Sequence, residues 1–229
     1  MSNAALLFKR QLTDTFRNKT VLIQFLLFPI LTLIMQKMVR PEGLPENFFV
    51  TLFGTMYVGM APMTAAAAII AEEKEKNTLR VLLLAGVRPR EYLIGSGGAV
   101  FLPCLIGGAV LCAAGEYTPA ERVQFLAVLA AGTLVSILLG GAIGVASRSQ
   151  MSATSLTVPV MLLCSFLPML GLFNRWAGVL ARWLYSGQVN RLLGGIGGRV
   201  DPADLLIFGL NLLLAAGLFV TAYRKRGLT

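Results

Sequence analysis

The residues with the most chemistry to offer stand together in one short segment, 72–95, which reads EEKEKNTLRVLLLAGVRPREYLIG. Its alternating charges, Glu72, Glu73, Lys74, Glu75 and Lys76, give way to an apolar run at Leu79, Leu82, Leu83 and Leu84 that Gly86 and Pro89 end. That order fits a helix lying across a membrane surface and showing a charged end to a partner. It equally fits a solvated connector whose charges steady neighbouring turns. Elsewhere reactive groups are scarce. The chain has no histidine, which excludes imidazole bases, imidazole metal ligands and His-dependent triads. Cys104, Cys112 and Cys164 all fall in apolar runs, where a thiol is a small buried hydrophobe before it is a ligand. A phosphate-binding G-x-x-x-x-G-K followed by Ser or Thr is absent, so the chain does not bind ATP through that loop. No catalytic residue and no metal ligand is expected.

The elements that must carry this segment are membrane spans. Five uncharged runs (47–71, 92–115, 123–147, 149–174 and 205–223) and a shorter one (20–36) contain none of the 20 basic and 11 acidic residues of this 229-residue chain. A helix needs about 17–25 apolar residues to cross a bilayer. Charged residues make up 14% of the chain, against about 25% in a soluble domain, so soluble enzyme folds are excluded. The runs predict spans at 20–39, 48–71, 92–114, 123–146, 153–173 and 203–223, within one transmembrane domain over 1–229.

The net charge of +9 raises nucleic acid as a partner, and its distribution removes it. With six spans and both ends inside, 13 of the 20 basic residues fall on the cytoplasmic side, at 9–19, 74–90, 148 and 224–226. That bias is the positive-inside signal of topology. Residues 4–19 place Leu6, Leu7, Phe8, Leu12 and Phe16 among Lys9, Arg10, Asp14 and Arg17, the pattern of an interfacial elbow helix rather than a cleavable signal. Residues 174–202 form the one long outer segment. Trp176, Val179, Leu180, Trp183 and Leu184 recur at helical spacing before Gly194, Gly195, Gly197 and Gly198, so the segment either lies flat at the outer interface or re-enters the bilayer.

No charged residue occupies the middle of a span, which argues against an ion-coupled carrier. Pro29, Pro62, Pro103, Pro159 and Pro168 interrupt four spans, and the carbonyls they free need protein or water partners. Gly140 and Gly144 make a GxxxG, which predicts close helix packing. Thr55, Met56, Met60 and Met63 on the second span and Thr157 and Met161 on the fifth are candidates to line a substrate pathway. The other reading of these methionines is ordinary gap-filling.

The order Glu73-Lys74-Glu75-x-x-Thr78-Leu79-x-x-Leu82-Leu83, followed by Val87 and a turn, resembles the coupling segment of permease subunits in the type 2 ABC exporter superfamily. An amino-terminal elbow, six spans, a charged loop between spans two and three and an outer helical segment before span six all occur in the family's order, over essentially the whole chain. Many relatives have Gly and an acid where Asn77 and Arg80 stand here; Asn also tolerates the left-handed turn conformation that Gly supplies. Ser186-Gly187-Gln188 is similar to part of an ATPase signature but is predicted to lie outside the cell. The resemblance implies an all-α polytopic membrane protein, an elbow helix plus six transmembrane helices. It implies a half-sized permease pairing with a second copy or a homologous permease and with two copies of an ABC ATP-binding subunit. ATP and Mg would sit on that partner, with no cofactor on this chain and no enzyme activity of its own. Loop 72–92 would press into the ATPase, with Glu73, Glu75, Thr78 and Leu79 as coupling residues and Glu72, Lys74 and Arg80 in support. The implied setting is a bacterial cytoplasmic (inner) membrane with both termini cytoplasmic, and the implied cargo an amphiphilic drug, peptide or lipid-like molecule. A gradient-driven carrier and a non-transporting scaffold or immunity component are the competing classes.

Overall fold

The computed structural model of the chain describes residues 3–17, 19–39, 43, 45–78, 89–198 and 200–226. Among them are nine helices and no strand: α1 (Asn3–Arg17), α2 (Lys19–Met38), α3 (Phe48–Glu75), α4 (Pro89–Ala114), α5 (Pro119–Ala146), α6 (Gln150–Leu170), α7 (Arg175–Trp183), α8 (Tyr185–Gly194) and α9 (Pro202–Arg226). Stretches of α3, α4, α5, α6 and α9 are long and apolar enough to cross a membrane, and α2 carries a shorter apolar stretch, Leu22–Met38. This is a multi-pass membrane protein.

Each apolar run predicts its helix closely; the starts differ at polar residues where capping decides, and the helix expected over 153–173 ends early, at Leu170. α5 starts at Pro119, ahead of the apolar run, because Thr118 and Glu121 form a capping box: Thr118 N donates to Glu121 Oε2 at 2.8 Å and Glu121 N to Thr118 Oγ1 at 3.4 Å. α6 starts at Gln150, where Ser149 Oγ accepts from Ser152 N at 3.2 Å. α3 continues past its apolar run to Glu75, so its four terminal charges ride on a helix rather than a loop.

α3 is the axis of the bundle, packed most extensively against α5 and α6 and also touching α2, α4 and α8. Pro62 breaks its ladder by leaving the Val58 carbonyl without its usual donor. Ser136 Oγ of α5 donates to that carbonyl at 2.6 Å, and the same hydroxyl lies 2.8 Å from the Tyr185 hydroxyl of α8. One buried serine thus satisfies the proline break and fastens three helices together. Cys104, Cys112 and Cys164 are free and buried, in keeping with their reading as small hydrophobes.

The segment between α6 and α9 divides into two helices. α7, capped by Asn174 Oδ1 accepting from Trp176 N at 2.8 Å, keeps Trp176 and Trp183 exposed, at 79% and 65%. α8 turns inward, burying Tyr185, Gln188 and Val189 against α3, α5 and α6. Its first residue thereby reaches Ser136, near mid-length of α5. The hairpin depends on Gly187, since a Cβ there would meet the Ala181 carbonyl oxygen at 1.9 Å. Ser186-Gly187-Gln188 is therefore a packing turn, with Gln188 Nε2 donating to the Arg182 carbonyl.

α1 differs from the single apolar face its sequence suggests. Leu7, Gln11 and Thr15, at i, i+4 and i+8, are buried, and α1 packs chiefly on α4, while Leu6 and Phe16 are about half exposed on other sides of the helix. The apolar residues are split between the bundle and the exterior because the bundle takes a stripe that includes polar Gln11.

Candidate functional site

Successive residues on a helix are rotated by about 100°. The run Glu72, Glu73, Lys74, Glu75 at the end of α3 therefore fans around the axis, and each side chain finds a different neighbour. Glu72 Oε1 pairs with Lys76 Nζ at 2.5 Å, on the exposed side. Glu73 is buried, 7% exposed, and its carboxylate accepts from Gln11 Nε2 of α1 and from the Tyr92 hydroxyl of α4. Lys74 Nζ donates to the Val145 carbonyl of α5 at 3.0 Å. Glu75 is exposed, and its Oε2 accepts from Gln150 N at 2.8 Å, at the positive end of the α6 dipole. Glu73, Lys74 and Glu75 thus tie one helix end to α1, α4, α5 and α6.

Burial of the Glu73 carboxylate is tolerable because both oxygens have donors, an arrangement that costs far less than an unpaired buried charge. Around it Leu7, Ile70, Val145 and Phe219 close a small apolar cluster beneath α1. The neighbouring Glu72 carboxylate holds the exposed Lys76 ammonium above its ordinary pKa by hydrogen bond and charge.

Past Glu75 the chain turns. Lys76 N still donates to the Glu72 carbonyl at 2.9 Å, and Asn77 N donates to the Lys74 carbonyl at 3.0 Å. Asn77 has φ +56°, the left-handed conformation that a glycine would adopt without strain, as anticipated for this position. Asn77→Gly is accordingly expected to keep the melting temperature, whereas a β-branched Asn77→Val costs about 1–2 kcal/mol. Thermal unfolding of the two variants in detergent checks this; equal melting would mean that the turn does not need its left-handed residue. Thr78 follows, half-buried. Leu79 and Arg80 lie outside the described residues.

The expected coupling residues are therefore not equivalent. Glu72 and Glu75 face outward, Lys74 reaches α5, and Glu73 points into the bundle with its carboxylate occupied. Little in the sequence marks the inward partners Gln11 and Tyr92, where each reads as an ordinary polar member of an amphipathic or apolar run. A polar residue on the buried stripe of α1 was the one available signal for Gln11.

The six candidates for a pathway pack in the interior of the single chain. Met56 and Met63 are buried in the core, Met60 and Met161 pack against it, and Thr55 and Thr157 are buried with their hydroxyls bonded to the Thr51 and Ala153 carbonyls. Asn190 Nδ2 of α8 also donates to Thr55 Oγ1 at 3.1 Å. Two apolar hollows, about 390 Å³ between α3, α4, α5 and α9 and about 530 Å³ beside α5, are lined by other residues. In this conformation the methionines fill gaps, the use their flexible thioethers suit best.

Residues 2–186 match the family model described as ABC-2 family transporter protein. No curated protein matches the chain.

Proposed function

The chain belongs to the ABC-2 transporter family, and on that premise we propose that it is the transmembrane subunit of an ATP-driven exporter in a bacterial cytoplasmic membrane. Members of the family work with an ATP-binding subunit. Here two such subunits would pair with two permeases, this chain and a second copy or a homologue, and would hold the ATP and Mg. The sixth span in this reading is α2, whose 20 residues reach about 30 Å as a helix. α1 is the interfacial elbow, half turned to the bundle and half to lipid, and both termini are cytoplasmic. α7 lies at the outer surface and α8 re-enters the bundle.

The observation that carries the mechanism is the fan at the end of α3. A push on segment 79–88 arrives at a helix end bonded to four other helices, so it moves the bundle as a unit rather than bending one loop. Glu75, Glu72 and Thr78, with Leu79 and Arg80, supply the surface that meets the ATPase. Lys74 and Glu73 act as positioning residues, transmitting to α5 and to α1 with α4. The pathway residues Thr55, Met56, Met60, Met63, Thr157 and Met161 would become a lining only when α3 and α6 part, the change that ATP-driven closure supplies. The cargo is an amphiphilic drug, peptide or lipid-like molecule.

The deciding experiment is affinity co-purification of the chain with the ATP-binding subunit encoded nearest its gene, followed by ATPase assay. A stable complex whose ATPase activity changes on pairing is expected. Absence of a complex with any candidate ATPase would replace the exporter by a non-transporting scaffold.

A further inference from the structure

The faces of α5, α6 and α9 leave a groove of about 530 Å³ that none of the described residues fills. α6 and α9 flank α5 without packing on each other along their lengths, so a strip of α5 between them stays uncovered. Ala142 and Ala146, one turn apart on α5, form a low floor; Leu156 of α6 and Leu218 and Ala222 of α9 form apolar walls. Lys225 closes one end. Leu218, Ala222 and Lys225 lie at i, i+4 and i+7, so the cation stands about 10 Å along the same helix face from the apolar wall. Arg148, two residues beyond Ala146, and Arg224 are exposed near the same end of the helices, and no carboxylate lines the groove among the described residues. Glu75, the acid that meets the start of α6, is bonded to Gln150 N.

We infer that this groove holds an anionic phospholipid, with an acyl chain along Ala142 and Ala146 and the phosphate at Lys225. An apolar trough ending in a cation complements one acyl chain and the anionic phosphate of a lipid. A polybasic helix end at a membrane surface attracts anionic headgroups by about 1 kcal/mol per basic residue. A second copy is a poorer occupant. Were the groove to sit on a two-fold axis along the membrane normal, like ends of two copies would meet at the same depth, and Lys225 and Arg224 would approach their own counterparts. The inference rests on the membrane placement of the helices and not on pairing with an ATPase.

The test is native mass spectrometry of the full-length chain after detergent exchange into palmitoyl-oleoyl phosphatidylglycerol or the phosphatidylcholine with the same chains. Preferential retention of phosphatidylglycerol is expected. Lys225→Ala should lower it about fivefold and leave phosphatidylcholine unchanged, and Ala142→Trp, which fills the floor, should remove both. Equal retention of the two lipids, indifferent to Lys225→Ala, overturns the inference. So does efficient disulfide dimerisation through Ala142→Cys, which would make the groove an interface between copies. Co-purification with an ATP-binding subunit, run on the same Lys225→Ala protein, reports on the exporter reading separately, and its failure leaves the lipid result standing.

Discussion

Gly140→Ala is expected to lower the melting temperature of the detergent-solubilised protein sharply, and Gly140→Val to leave no folded protein in the membrane fraction. A Cβ at Gly140 would stand 2.2 Å from the Met63 carbonyl oxygen, and one at Gly144 would stand 2.8 Å from the Ala67 carbonyl oxygen. Both obstacles are backbone, so no rotamer change relieves them; α3 and α5 must separate. Theirs is the most extensive helix pairing among the described residues. Overpacking of a tight interface costs about 1–3 kcal/mol and more where backbone must shift, which puts Gly140→Ala at or beyond the top of that range and Gly144→Ala within it. Gly209 and Gly217 of α9 provide the control, because a Cβ at either meets nothing within 4 Å. Alanine there is expected to be neutral or mildly stabilising through helix propensity. Size-exclusion melting curves of the four alanine variants decide it. A Gly140→Ala protein melting with the wild type would show that α3 and α5 do not approach as closely as described.

Glu73 and Glu75, two residues apart, are expected to fail in different ways. Glu73→Ala removes the acceptor of both Gln11 Nε2 and the Tyr92 hydroxyl and leaves two buried donors unpaired. Each such loss costs about 1–3 kcal/mol. α1 should therefore loosen from α4, with a lower melting temperature and faster tryptic cleavage at Lys9 and Arg10. Glu75→Lys gives up only an exposed contact with Gln150 N, so the fold should persist. Its effect should fall on the partner: ATPase coupling reduced about tenfold or more, the scale of one lost interfacial charge pair. Charge reversal at the two positions would look alike if both carboxylates met the ATPase directly. Melting, proteolysis and coupling measured together separate the cases, and a Glu75→Lys protein with intact coupling would remove that residue from the interface.

Much of the architecture was legible in advance because a bilayer leaves the chain few choices. Backbone donors and acceptors inside lipid must be satisfied within the segment, so an uncharged run of sufficient length is a helix almost wherever it occurs. The GxxxG at Gly140 and Gly144 announced a close contact for the same kind of reason, since small residues have little else to contribute. At Asn77 the left-handed turn is one that its short side chain permits, though the resemblance, not the residue alone, implies a turn there. The lining of the pathway was less legible: Met56 and Met63 carry the same sequence signal whether they face a ligand or fill a core, and here they fill it.

By itself, then, the sequence determined where the helices run, which ends carry the positive charge and which segment bears the concentrated chemistry. All of these follow from length, apolarity and the cost of burying charge. Only the tertiary structure decided which way each side chain of that segment faces. Neighbours on a helix diverge by about 100°, and whether a carboxylate meets water, a glutamine on α1 or the start of α6 depends on what packs there. That is why Glu73 is a fastening inside the bundle while Glu75 stands at its surface. It is also why the proline break at Pro62 finds its donor in Ser136, a residue 74 positions away that no local pattern connects to it.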